Sequence, residues 1–261
     1  MLGRLRQAAG RMLVAYLEKQ TRGYVQYSVV PLMLLRLTLR PGDVLLVEGD
    51  RRISGAIKYL TQSTWSHAAF YVGDPAGCDL IEADVSAGVR GVALDRYAHL
   101  NVRICRPIGL DAADLARVVA HMRGSIGRTY DLRNVVDLVR YLLPQPPVPK
   151  RWRRRMLALG SGDPTRAICS TLIAEAFEAV RYPILPEVRT ETRDARAREI
   201  LHIRHHSLFT PRDFDLSPYF AVVKPTIERG FDYRALNWYD DGAALAAEAG
   251  SDSRKATSTQ G

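Results

Sequence analysis

Three residues of this chain have the types that attack on a carbonyl requires: Cys169 for the nucleophile, His67 for the base, and Glu82 to orient that base. A cysteine nucleophile needs an imidazole to take its proton and a polar group to hold the imidazole in place. Cys169 stands near the start of AICSTLIAEAFEAV, where Ile168, Leu172, Ile173, Ala176, Phe177 and Val180 fall at the spacing of one buried helix face. SGDPTR upstream supplies turn and capping residues, so the cysteine belongs to the first turn. Free backbone N–H groups and the helix dipole both favour a thiolate there. The plain alternative is a small core thiol, which is how most cysteines in apolar helices serve.

His67 lies in SHAAFYVG, whose period-two alternation puts its ring on the face of Ala69 and Tyr71. Glu82 follows two apolar residues in LIEADV, and a carboxylate in such a strand is rarely buried without a partner. A His–Glu pair on neighbouring strands would supply one. Asp84 has the same parity and competes for the role. Trp65 and Tyr71 flank the histidine and could line a pocket or pack in the core.

The elements around these residues read as a run of short strands followed by helices. RPGDVLLVEG is a turn and a strand, Val44–Val47, and ISGAIKYLTQ has the spacing of a short helix. Strands follow near Trp65 to Val72, in CDLIEADVS, in GVRGVAL and in Leu100–Pro107, the texture of an antiparallel meander. DAADLARVVAHMRG and GRTYDLRNVVDLVRYLL read as helices, PQPPVPKRWRRR as an exposed basic loop, and the cysteine helix comes next. Beyond Tyr182 the pattern predicts turns and a charged arginine run, then a short strand in FAVVKP. From about Asp240 small polar residues predict a disordered tail.

Residues 1–39 carry two apolar segments of their own. Leu2, Leu5, Ala9, Met12, Leu13, Tyr16 and Leu17 form a helical stripe among Arg4, Arg6, Arg11 and Lys19, a pattern able to lie on an anionic membrane or to pack on its own domain. Val29–Leu39 can dock into the core or extend that surface. No run nears the roughly 18 apolar residues of a spanning helix, and the scattered charges of the first twenty residues do not read as a secretory signal.

The 261 residues suffice for one large domain or two small ones, with 47% hydrophobic and 25% charged residues, as in a globular protein. A net charge of +9 raises nucleic acid or anionic lipid as partners. No DNA-binding motif accompanies the arginines, so nucleic acid is not expected. Cys78, Cys105 and Cys169 lack metal-ligand spacing and point to a reducing compartment. Cys78 and Cys105 read as incidental or packed. His202, His205 and His206 in HIRHH have no acidic or cysteine ligand at matching spacing, so neither metal nor cofactor is expected.

In order along the chain, His67 in WSHAAFYVG, Glu82 in LIEA, the GRTYD segment and Cys169 in ICSTLIAEAF resemble the YiiX/YebB-like, circularly permuted branch of the NlpC-type papain-like cysteine hydrolases. That branch is itself similar to lecithin-retinol acyltransferase, and PGDVLLVEG and TPRDFDLSPYF fit it too. The resemblance spans roughly Arg40 to Pro225. It implies an α+β fold with an antiparallel sheet packed against the cysteine helix, in three parts: a basic helical segment 1–39, the hydrolase domain 40–225 and an extension 226–261. It also implies Cys169 as nucleophile, His67 as base, Glu82 as orienter and Tyr130 of GRTYD beside the oxyanion.

The expected activity is therefore a thioester-forming cysteine hydrolase acting on an amide or ester of a small-molecule, lipid or peptide substrate. Its rivals are an acyltransferase and a silent lipid- or peptide-binding module on the same fold. The resemblance further implies a bacterial, cytoplasmic protein, peripheral to the inner membrane.

Overall fold

The computed structural model describes residues 16, 19–21, 24–26, 30–74, 77–84, 87–129, 168–193, 196–202, 209–228, 230 and 234, with the backbone alone at 56, 60, 168, 187–193, 196–202. By its contacts the chain divides into Met1–Glu228 and Arg229–Gly261.

Fifteen short elements are described in Met1–Glu228. They are α1 (Leu32–Thr38), β1 (Val44–Glu48), α2 (Arg52–Thr61), β2 (His67–Tyr71), β3 (Leu80–Asp84), β4 (Gly88–Val92), a 3-10 turn (Leu94–Tyr97) and β5 (Asn101–Pro107). Then come α3 (Ala112–Gly124), α4 (Ile168–Glu178), β6 (Glu187–Arg193), β7 (Arg196–His202), α5 (Pro211–Leu216), β8 (Phe220–Val223) and α6 (Pro225–Glu228). Six strands form one sheet in the order β4-β3-β2-β1-β5-β8, antiparallel throughout. The fold is mixed α+β. The first four strands are the expected meander, while β5 returns to the free edge of β1.

β1 is central, and its VLLV run is apolar because both of its faces are covered. Alternation then sorts the sheet into two layers. Val44, Leu46, Ala68, Phe70, Ile81, Ala83 and Cys105 join the cluster that holds α4. Leu45, Val47, Ala69, Leu80 and Ile104 join the cluster holding α1 and the 3-10 turn. In α4, Cys169, Ser170, Leu172, Ile173, Ala174, Ala176 and Phe177 are all buried, so this helix is a core element rather than a surface one. Phe177 meets Phe70 edge-on at 6.2 Å, and burying such a ring is worth about 3 kcal/mol.

Docking is what the structure gives the Leu32–Leu39 stretch: Leu35 and Leu39 enter the second layer, while Met33 and Leu37 stay exposed. Two further readings are revised. The arginine run after Tyr182 pairs as the β6–β7 hairpin, with Glu187 opposite His202 and Arg193 opposite Arg196. The strand read from Trp65 begins at His67. The helix read in GRTYDLRNVVDLVRYLL beyond Thr129, the Arg151–Arg155 cluster, the first amphipathic stripe apart from Tyr16, and the tail lie outside the described residues.

The turn before β1 is fixed by Gly42, at φ +97°, and by Asp43, which accepts from the Arg40 N–H at 2.8 Å. Asp43 is buried and gripped in two places by Arg106, at 2.8 Å through both Nε and Nη2. Removing one partner of such a pair strands the other charge. Asp43→Ala is expected to lower unfolding stability by about 3–5 kcal/mol, measured by urea denaturation.

Candidate active site

His67 is the first residue of β2, so its ring stands at the end of the sheet. It shares the parity of Ala69 and Tyr71, as the alternation predicts. Glu82 lies on β3, directly opposite Ala69. The two side chains meet: His67 Nε2 is 2.9 Å from Glu82 Oε2. Glu82 is only 3% exposed, whereas the His67 side chain is 23% exposed.

A carboxylate so buried must have its lone pairs filled. Oε1 accepts from Arg90 Nε at 3.0 Å and lies 3.6 Å from Arg96 Nε. Oε2 accepts from the Tyr97 hydroxyl as well as facing His67. Arg90 is there because β4 pairs with β3 so that it lies directly opposite Glu82. The competition with Asp84 is resolved by the same register. Asp84 is tied to Arg90 Nη2 at 3.2 Å and accepts from the Ala87 N–H, leaving Glu82 to the histidine.

Cys169 is the second residue of α4 as described, and is 5% exposed. Its sulfur lies close enough to the His67 imidazole to act on it both as a charge and as a hydrogen-bond partner. By alternation α4 packs on the opposite layer from the His67–Glu82 pair, so this approach is made around the end of the sheet and not across its face. The start of β2 and the start of α4 converge there. Thiol, imidazole and carboxylate thus form a contiguous row.

The electrostatics follow from these neighbours. Burial is the largest influence on His67 and opposes its charge, but the Cys169 sulfur and the Glu82 carboxylate outweigh it and raise its pKa to about 10. Burial pushes the Glu82 carboxyl upward, yet the bonds from His67 and Tyr97 and the nearby Arg96 hold it well below the usual carboxylate range. Burial and Glu82 together raise the Tyr97 phenol well above its ordinary value, so it remains a donor. Cys105 is different in kind: burial pushes that thiol up to about 12, as suits a packing residue.

Of the other candidate residues, Tyr130 lies outside the described residues. The beginning of its GRTYD segment runs along β4, with Val89 donating to the Arg128 carbonyl at 2.9 Å and Gly127 to the Val89 carbonyl at 2.9 Å. Trp65 is buried; its indole N–H donates to Asp215 at 3.1 Å and Arg103 stacks on its ring at 4.9 Å. Tyr71 is half-buried in the second layer, and Cys78 is exposed. His202 is placed in β7 by its backbone, and His205 and His206 lie outside the described residues. Among the described residues no cluster of histidine, cysteine, aspartate and glutamate is arranged to hold a metal ion.

Sequence reasoning missed Tyr97, Arg90 and Arg96. A readable signal existed for Arg90 alone: one arginine in GVRGV, one strand away from the lone glutamate of LIEAD. Tyr97 comes from a 3-10 turn, where no periodicity marks which side chain turns inward.

Mixed α+β architecture and a thiol–imidazole–carboxylate row define this chain so far. No family model matches it, and neither does any curated protein. Among solved structures it is similar to the crystal structure of metalloprotein yiiX from Escherichia coli O157:H7, described as DUF1105. The likeness has 14% identity and a TM-score of 0.43, over 71% of this chain and 96% of that one. At that level nothing of the other protein's chemistry transfers to this chain.

A raised histidine pKa contributes stability that is complete below the unfolded value, 6.5, and is lost as pH climbs through about 10. A lowered glutamate contributes above its unfolded value, 4.5, and loses that contribution as pH falls. The stability gap between wild type and His67→Gln is therefore expected to be widest between those two unfolded values. It should narrow on both sides in denaturation curves taken across pH.

Proposed function

We propose that this chain is a cysteine hydrolase on a permuted papain-like domain, cleaving an amide or ester through a thioester on Cys169. One observation carries the reading: the Cys169 sulfur acts directly on the imidazole that rests, through Nε2, on the buried Glu82. Glu82 accepts from Nε2–H and leaves Nδ1 for the thiol. His67 takes the Cys169 proton, and the sulfur adds to the substrate carbonyl. Backbone N–H groups at the start of α4 are the natural donors to the tetrahedral oxyanion. Collapse expels the amine or alcohol, which takes its proton from His67, and leaves the thioester. Water then gives a proton to His67 and attacks the thioester; the acid departs and Cys169 regains its proton. With an amine or a lipid hydroxyl in place of water, the same steps describe an acyltransferase.

A lipid or membrane-proximal substrate is favoured by one further observation. Met33 and Leu37, four residues apart on α1, are 68% and 58% exposed. Residues on one helix face at this spacing form a continuous apolar strip. Because α1 packs on the 3-10 turn that carries Tyr97, the strip and the site belong to one layer. The net charge of +9 suits an anionic surface.

The acyl-enzyme is the direct test. Incubation with a 4-nitrophenyl ester is expected to add one acyl mass, removable by hydroxylamine and mapped to Cys169. Cys169→Ala should abolish it, and His67→Ala should slow nitrophenol release by about 10³-fold or more. A chain that never acylates, with Cys169 no more reactive to iodoacetamide than an ordinary thiol, is the binding module instead. Added hydroxylic or amine acceptors that accelerate turnover mark transfer over hydrolysis.

The surface reading makes a separate prediction. Wild type is expected to co-sediment with phosphatidylglycerol vesicles better than with phosphatidylcholine vesicles. The double variant Met33→Asp, Leu37→Asp should lose most of that binding while keeping its nitrophenyl esterase rate in solution.

A further inference from the structure

The Tyr97 hydroxyl makes two contacts that packing alone does not require. It donates to Glu82 Oε2 and lies 3.1 Å from His67 Nε2. Its ring, 4% exposed, sits 5.9 Å from the imidazole, tilted by 38°. The same carboxylate oxygen therefore serves both the phenol and the imidazole, and the phenol oxygen stands beside the very nitrogen that faces Glu82.

We infer that Tyr97 is a positioning residue: it fixes Glu82 Oε2 and gives the His67 Nε2–H a second acceptor, so that the imidazole keeps Nδ1 turned to Cys169. This extends the cysteine-nucleophile reading and rests on it. The geometry decides the tautomer. A phenol O–H committed to Oε2 presents its lone pairs to Nε2, so an Nε2 without hydrogen would face acceptors only. Nε2–H satisfies Glu82 and Tyr97 at once. The phenol stays protonated over the working range, since burial and the adjacent carboxylate oppose its ionisation.

The charged and titratable neighbours among the described residues fit this arrangement. Arg90 of β4 and Arg96 of the 3-10 turn hold Oε1, so Glu82 is kept charged without drawing Oε2 away from the histidine. Asp84 of β3 is occupied by Arg90. Cys169 of α4 is the remaining group on the imidazole. Tyr97 acts through Glu82 and His67, and the geometry gives it no part at the reacting carbonyl.

Tyr97→Phe keeps the ring and removes only the oxygen. Nitrogen-correlated NMR of the imidazole in the full chain is expected to show His67 as the Nε2–H tautomer when neutral. In Tyr97→Phe its titration midpoint should fall and the tautomer should become mixed. The iodoacetamide rate at Cys169, mapped by peptide mass against exposed Cys78, should fall about tenfold at neutral pH, the scale of one lost hydrogen bond to a charged group. Its pH profile should move with the midpoint. In a Glu82→Gln background the Tyr97→Phe change should cost clearly less than in the wild type, because only the direct contact with Nε2 is then lost.

A Tyr97→Phe protein with unchanged His67 midpoint and tautomer overturns the inference, as does an equal loss in the Glu82→Gln background. The failure of the nucleophile reading looks different: wild-type Cys169 then reacts like Cys78 at every pH, while the imidazole spectra still decide the role of Tyr97. If Tyr97→Phe does not fold, the wild-type tautomer settles the point: an Nδ1–H imidazole overturns it.

Discussion

A charged carboxylate with almost no contact with water is the constraint on which this molecule is built. Ionised Glu82 would be prohibitively costly in an apolar sheet. It is tolerated because four side chains from three elements converge on its two oxygens. His67 comes from β2, Arg90 from β4, and Arg96 and Tyr97 from the 3-10 turn. Each arrives through backbone register or a local turn, so the site is assembled by the same hydrogen bonds that build the sheet. Replacing Glu82 would not merely remove one group; it would leave two guanidinium groups, a phenol and an imidazole without a shared acceptor.

The division of the sheet into two layers explains why the thiol and the imidazole–carboxylate pair lie on different elements. Ala68, Phe70, Ile81 and Ala83 give α4 an apolar floor, and Phe177 and Leu172 fill it. A polar pair on that floor would have interrupted the packing of a buried helix. With His67 and Glu82 on the opposite parity, the apolar floor under α4 is uninterrupted. His67, as a terminal strand residue, is free to reach both ways. The buried Asp43–Arg106 pair does comparable work at the other end of β1, fixing the turn through which α1 enters the domain.

How much of this was legible depends on whether a side chain's place follows from a period. The burial of α4, the strand of His67 and the parity shared by His67 and Ala69 all follow from spacing, and so they could be read. Glu82 was readable because an isolated carboxylate between apolar residues demands a partner. Asp84 could not be set aside from sequence, since its parity is identical; only the β3–β4 register, with Arg90 opposite Glu82, separates them. Tyr97 was illegible because a four-residue 3-10 turn has no repeat from which an inward side can be deduced. The β6–β7 hairpin was missed for another reason. Its strands are rich in charge, which reads as solvated chain, yet the register sets Glu191 opposite Arg198, and opposite charges at paired positions support a two-stranded ribbon.

The surroundings of the two less exposed cysteines differ in kind. Cys105 and Cys169 belong to the same apolar cluster, and both are buried. By accessibility alone they are equivalent. Cys105 sits within β5, where its neighbours are core side chains and the nearest charges, on Asp215 and Arg103, oppose each other; burial therefore dominates and holds the proton on sulfur. Cys169 stands at the head of a helix with an imidazole in contact, and that imidazole is in turn held by a carboxylate that stays ionised. Electrostatic support passed along a row of hydrogen bonds keeps the carboxylate and the imidazole charged despite their burial. The row is only as strong as its most distant anchor. For this reason the arginines and the phenol around Glu82 bear on the imidazole that stands beside a sulfur carried by a different layer of the fold.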